Sequence, residues 1–196
     1  MKAGDIKSLE TWAGDLNGVF AMSDLKVLFR GQSEAALYKK LGRFVEAQVF
    51  IKVKRGLYAL PTASLEVISN RINPDAYIST GTVLAQNLIV GSVPARRVQA
   101  VKVGRPRLYT CELGVVEHLS IDPRLHFGFT IRDGIKYATP EKAFLDVCYF
   151  SFKGKTFSFD LDSDVDREPL DAVLLSRYLK RYDTRFVTCF QRTWGT

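Results

Sequence analysis

The sequence predicts an α+β protein, with helices first and most strands later. Three observations carry this. Residues 5–48 place apolar side chains at helical spacing, interrupted by turn and cap signals. Residues 49–61 then form two short apolar runs around a basic Lys54-Arg55-Gly56 tip. Residues 96–139 hold five segments of β character before helical spacing returns.

The N-terminal part is taken first. From Asp5 to Leu16, Ile6, Leu9, Ala13 and Leu16 share one helical face, flanked by Trp12. Asn17-Gly18 stops that helix, and Val19-Phe20 suits an edge strand. Ser23 is the expected cap of a brief second helix, Asp24 to Phe29, with Met22 stapled onto Val27. Arg30-Gly31-Gln32 makes a turn, and Ser33 caps a third helix reaching about Gln48. Leu37, Leu41, Phe44 and Val45 form its core stripe, while Ala35, Tyr38, Lys39, Gly42 and Arg43 lie on the other side. Glycine inside a helix costs about 1 kcal/mol against alanine. A close backbone approach at Gly42, to another helix or to a phosphate, would offset it.

The following hairpin alternates Val49, Ile51 and Val53 with Phe50 and Lys52, and Gly56 suits the positive φ of its turn. Leu57 to Ala59 return the chain, and Pro61 ends the pairing. Helix, turn, helix and hairpin is the layout of a winged helix-turn-helix, a DNA-reading module. Ser33, Ala35 and Tyr38 would then face base edges. Lys39, Lys40 and Arg43 would meet phosphates or guanine edges, and Lys52, Lys54 and Arg55 would form the tip of the wing. A small α+β unit used only for protein contacts is the alternative.

Beyond this part, Ser64 to Ile72 reads as a linking helix, stopped by Asn73-Pro74. Tyr77-Ile78 is a short strand, and Ser79 or Thr80 opens a helix through Val83, Leu84 and Leu88. The β segments cover 96–104, 107–114, 115–121, 127–134 and 135–139. Gly104-Arg105-Pro106 and Asp133-Gly134 are turn signals, and Gly114 marks a tight turn or a bulge. Together these predict a mostly antiparallel sheet packed with helices. Thr139-Pro140 opens the next helix, with proline at its first position and Glu141 in its first turn. After a polar, acidic stretch, residues 168–182 and 184–194 show two further helical patterns. The expected division is a winged helix-turn-helix at 1–62 and an α+β domain at 63–196.

Charge is unevenly spread. The chain carries +7 overall, with a pI near 9.4. Residues 26–55 hold eight basic and two acidic side chains, the footprint of a polyanionic partner. Arg96, Arg97, Arg105 and Arg107 form a second basic group, suited to secondary DNA or partner contacts. Cys111, Cys148 and Cys189 are odd in number and widely spaced, which argues against a disulfide framework or zinc site. With no apolar run of membrane length and no targeting segment, a cytoplasmic protein without membrane association is expected.

Chemical motifs are sparse. Asp160, Asp162, Asp164 and Asp166 alternate like calcium ligands, but Val165 and Asp171 stand where an EF-hand needs glycine and glutamate. Pro140-Glu141-Lys142 resembles a piece of metal-dependent nuclease sites, yet adjacent residues diverge on a helix. No phosphate-binding loop, nucleophile elbow or zinc-protease motif is present. No catalytic residue, metal or cofactor is therefore expected. The rivals to DNA binding alone are an effector-sensing transcription factor and a DNA-binding nuclease.

The wing ending Arg55-Gly56-Leu57-Tyr58-Ala59-Leu60, the stretch from Tyr77 to Pro94, and Ala138-Thr139-Pro140-Glu141-Lys142 with Leu145-Asp146 occur here in one order. In that order they resemble the AbiEi-type antitoxins of bacterial abortive-infection systems, over about residues 5–150. The resemblance implies a winged helix that represses its own operon by binding inverted repeats in double-stranded DNA. It implies a C-terminal part that opposes a cognate nucleotidyltransferase-type toxin, with direct contact left open. It also implies structural rather than catalytic roles for Glu141, Lys142 and Asp146.

Overall fold

The computed structural model describes residues 3–91 and 93–194. Its N-terminal part runs α1 (Ala3–Leu16), β1 (Val19–Ala21), α2 (Met22–Leu28), α3 (Glu34–Glu46), β2 (Ile51–Lys54) and β3 (Leu57–Ala59). Leu9 is buried and Trp12, Ala13 and Leu16 pack beside it; the side chain of Ile6 lies outside the described residues. Asn17 and Gly18 both take positive φ and end α1.

Two expectations here are corrected. Ser23 does not cap α2. Strand β1 runs straight into that helix, Ala21 is its cap residue, and the Ala21 amide donates to the Asp24 carboxylate at 2.8 Å. Nor is Val27 covered by Met22; it is exposed. Ser33 does cap α3, accepting from the Ala36 amide at 3.3 Å.

The strands form an antiparallel sheet in the order β1-β3-β2. Its register sets Phe20 opposite Tyr58, and Val19 opposite Ala59. Phe20 and Tyr58 face the helices, in a core with Leu25, Leu37, Leu41, Phe44 and Phe50. Phe50 stands 5.4 Å from Phe20, 5.8 Å from Phe44 and 5.9 Å from Tyr58, ring to ring. Val19, Val53, Leu57 and Ala59 join the other core, that of the rest of the chain. Both faces of the small sheet therefore carry buried side chains, with Lys52 and Lys54 exposed on its edge strand β2, and side chains before and after residue 62 share one core.

Helix α4 (Leu65–Ile72), capped by Ser64, links the two parts. Its Arg71 forms an ion pair with Asp24 in the first turn of α2. The remainder comprises β4 (Tyr77–Ile78), α5 (Thr80–Gln86), β5 (Arg97–Val103), β6 (Arg107–Cys111), β7 (Gly114–Ile121), β8 (Phe129–Arg132), β9 (Ile135–Ala138), α6 (Pro140–Phe152), α7 (Ala172–Leu179) and α8 (Thr184–Thr193). Leu88, expected within α5, lies past its end and is exposed.

The six strands are ordered β6-β7-β5-β4-β9-β8. The sheet is mixed rather than mostly antiparallel: β5 runs parallel to β7, and β4 parallel to β9. The Gly104-Arg105-Pro106 turn is the reason. It carries the chain past the edge of β5 to an outer strand, and β7 folds back into the gap with β5's direction. Helix α4 packs on one face of this sheet; α5 and α6 pack on the other. Every residue from Glu141 to Phe150 is buried, so α6 is enclosed on all sides.

Gly114 opens β7 at φ 148°, and a Cβ there would stand 2.3 Å from the Arg96 carbonyl oxygen. Backbone cannot yield as a side chain does. Gly114→Ala is expected to destabilise by more than about 2 kcal/mol, measured as a lower urea midpoint. An unchanged midpoint would show that the β5–β7 junction is not fixed by this contact.

His118 on β7 is buried, with Nε2 2.9 Å from Ser69 Oγ on α4. Among the described residues its Nδ1 has no partner. Burial, and then the Lys102 ammonium, lower its pKa from 6.5 to about 4. The unfolded chain therefore binds more protons across that interval. Stability should rise with pH from about 4 to 6.5 and be lost on acidification. Replacing His118 with glutamine should flatten this part of the stability–pH curve; an unchanged slope would exclude His118 as its source.

Candidate nucleic-acid interface

Helix α3 buries Leu37, Leu41 and Phe44 and turns its opposite side to water. Ala35, Tyr38, Lys39, Gly42 and Arg43 are all exposed on that side, a continuous i, i+3, i+4, i+7, i+8 face. A Cβ added to Gly42 would meet nothing within 4 Å. Close packing on a neighbouring helix therefore does not explain this glycine. Lys40 is half-buried, its ammonium 4.2 Å from the centre of the Phe29 ring. Ser33 sits exposed at the start of the same helix.

The hairpin presents Lys52, Lys54 and Arg55 to solvent. Gly56 takes φ 77° at its turn, and the β2–β3 register shifts between Lys52 and Lys54. The helix and the hairpin share a core through Phe50, whose ring centre is 5.8 Å from that of Phe44 on α3 and 5.9 Å from that of Tyr58 on β3. Burial, and then the nearby Tyr38 phenol, raise the pKa of Tyr58, and Tyr58 is the cross-strand partner of Lys52. Of the two acids among residues 26–55, Glu34 pairs with Lys26 at 3.2 Å. Glu34 and Glu46 are both exposed on α3, against Lys39 and Arg43 there and Lys52, Lys54 and Arg55 on the hairpin, so the outward charge of the two elements is predominantly positive.

The second basic group divides. Strand β6 runs beside β2, so Arg105 and Arg107, both exposed, flank the hairpin. Arg107 opposes His118 in register and so projects from the sheet face on which α4 lies. Arg96 and Arg97 sit at the start of β5 instead. Arg96 donates to the Leu113 carbonyl at 3.0 Å, and Arg97 to Glu117 at 3.1 Å.

The chain matches no protein-family model and no curated protein with which it was compared.

The other charged constellations make bonds within the chain. Asp160 accepts from the amides of Asp162 and Ser163 at 2.9 and 3.0 Å, and Asp164 from the amide of Asp160 at 2.8 Å. The bonds from the Ser163 and Asp162 amides hold the Asp160 carboxyl below its usual pKa, so the acids bond within their own loop. Glu141 accepts from the Asp171 amide at 3.1 Å, just ahead of α7.

Lys142 diverges from Glu141 into a fully enclosed ion pair with Asp146, one turn along α6. Asp146 also accepts from Tyr77 Oη at 3.0 Å and Ser79 Oγ at 2.7 Å, while Lys142 reaches Tyr182 Oη at 3.1 Å. Burial lowers the pKa of Lys142 against the opposing pull of Asp146, and raises both phenols well above their ordinary value. The i, i+4 spacing of Lys142 and Asp146 was visible in sequence. Nothing there linked them to Tyr77, Ser79 or Tyr182, which arrive from distant elements.

Proposed function

We propose that the protein is a sequence-specific DNA-binding regulator of the winged helix-turn-helix type. In this reading α3 enters the major groove of double-stranded operator DNA, and the β2–β3 hairpin follows the backbone. The observation that carries it is the exposed face of α3, with its cations and its open glycine, together with the exposed cations of the hairpin that follows it in the chain. An open Gly42 between Lys39 and Arg43 lets a phosphate approach the helix backbone. Arg105 and Arg107 add positive charge on the flank.

The resemblance to AbiEi-type antitoxins extends the proposal. The regulator would repress its own operon at inverted repeats, and residues 63–196 would counteract a nucleotidyltransferase-type toxin encoded beside it. In this reading the protein works without a cofactor, catalyses no reaction and acts in the cytoplasm. Among the described residues no helix is long and apolar enough to cross a membrane.

Fluorescence anisotropy on the duplex upstream of the gene tests the DNA reading. Five cations, Lys39, Arg43, Lys52, Lys54 and Arg55, meeting phosphates predict a slope of log K against log salt of about −4 to −5. Binding no tighter than to scrambled duplex would refute the operator reading. Co-expression with the neighbouring gene product tests the antitoxin reading; toxicity unrelieved by this protein would end it.

A further inference from the structure

A cavity of about 260 Å³ opens on the α5 face of the mixed sheet, between the start of β5 and residues 155–159. One side is cationic. Glu117 on β7 draws in Arg97 at 3.1 Å, Lys155 at 2.7 Å and the Gln99 amide at 2.9 Å. Two cations on one carboxylate leave a positive charge at the cavity. They also leave donors in surplus: an ammonium carries three N–H groups and a guanidinium five, and Glu117 takes one from each.

The other side is aromatic. Phe157 and Phe159 stand 5.7 Å apart at 34°, and the Lys155 ammonium lies 5.6 Å from the Phe157 ring centre. Phe159 is seated against Gly81, where a Cβ would come within 2.8 Å of its ring. A Cβ at that position would force the ring to shift, so the glycine lets Phe159 pack here. The Arg97–Glu117–Gln99 cluster is anchored, because Gln99 Oε1 accepts from Thr80 Oγ1 at 2.7 Å.

We propose that this cavity binds a small planar carboxylate, its anionic end between Arg97 and Lys155 and its flat body against Phe157 and Phe159. The chemistry follows from the walls. Surplus donors drawn together by Glu117 match a carboxylate's two oxygens, and aromatic faces favour a flat apolar body over a hydrated one. The volume falls just below the usual range of ligand pockets, about 300–1,000 Å³, which suits a small ligand. The site is independent of the DNA reading and stands or falls separately from it.

Benzoate is the probe, titrated into the full chain by two-dimensional amide NMR. Saturable shifts are expected at Gln99, Lys155 and Phe157, with a millimolar or tighter Kd. Benzamide, the same shape without the charge, should bind at least tenfold more weakly, and Lys155→Gln should weaken benzoate at least tenfold. If that variant is poorly folded, Ser158→Trp, at an exposed rim position, should fill the cavity and abolish binding without altering the thermal midpoint. Absence of saturable binding, equal affinity for benzamide, or benzoate binding unaffected by Ser158→Trp would each overturn the proposal. Inorganic phosphate binding as tightly as benzoate would overturn the planar-carboxylate assignment.

Discussion

Replacing Asp146 with alanine should cost about 3–5 kcal/mol of stability, the penalty for stranding one member of a buried ion pair. Lys142 and Asp146 are both fully enclosed, so no water reaches the ammonium left behind. Lys142 would then stay folded only by giving up its proton, a change its burial already favours. The Tyr77 and Ser79 hydroxyls lose their acceptor at the same time. Urea unfolding measures the loss. The double change Lys142→Met and Asp146→Leu should recover much of it, because neither charge then needs a partner. The residual deficit reports the unpaired hydroxyls, at about 1–3 kcal/mol. A single Asp146→Ala variant within about 1 kcal/mol of the parent would show that the pair contributes nothing to stability.

Changing the cations of α3 and the hairpin should have the largest effect on DNA binding. Lys39→Ala with Arg43→Ala should weaken operator binding, and Lys54→Ala with Arg55→Ala should weaken it too. The two pairs should differ in kind. A hairpin that meets only phosphates loses affinity evenly across sequences, and the salt slope should fall by about two for the two cations removed. If Arg43 reads a guanine edge, its loss costs about 1–3 kcal/mol at that base and relaxes specificity there. All four side chains are exposed, so folding should survive these changes. Unchanged gel shifts for every variant would refute the docking geometry.

Much of the local structure could be read from single residues. Ser33, Ser64 and Thr139 cap the helices that follow them, because a short hydroxyl side chain can take an orphan amide. The stripe Leu37, Leu41 and Phe44 told which side of α3 is buried, and thereby exposed Tyr38, Lys39 and Arg43. Long-range order was harder. The parallel pairing of β5 with β7 depends on where Gly104-Arg105-Pro106 sends the chain, and a turn signal does not encode direction. The buried network around Asp146 joins residues 67 and 69 positions apart, beyond any periodic pattern. The aromatic cavity escaped for the same reason: Phe157 and Phe159 lie in a polar stretch without regular structure, and their partners are on a remote strand.

The three-stranded sheet with buried side chains on both faces bears on how freely this chain can be recombined. Here a chimera joining residues 1–62 to a foreign C-terminal half would inherit Val19, Val53, Leu57 and Ala59 with no surface to receive them. It would also inherit Asp24 without Arg71. A workable graft has to bring α4 and the strands beneath it, so the smallest exchangeable piece of this protein is larger than the segment from α1 to β3.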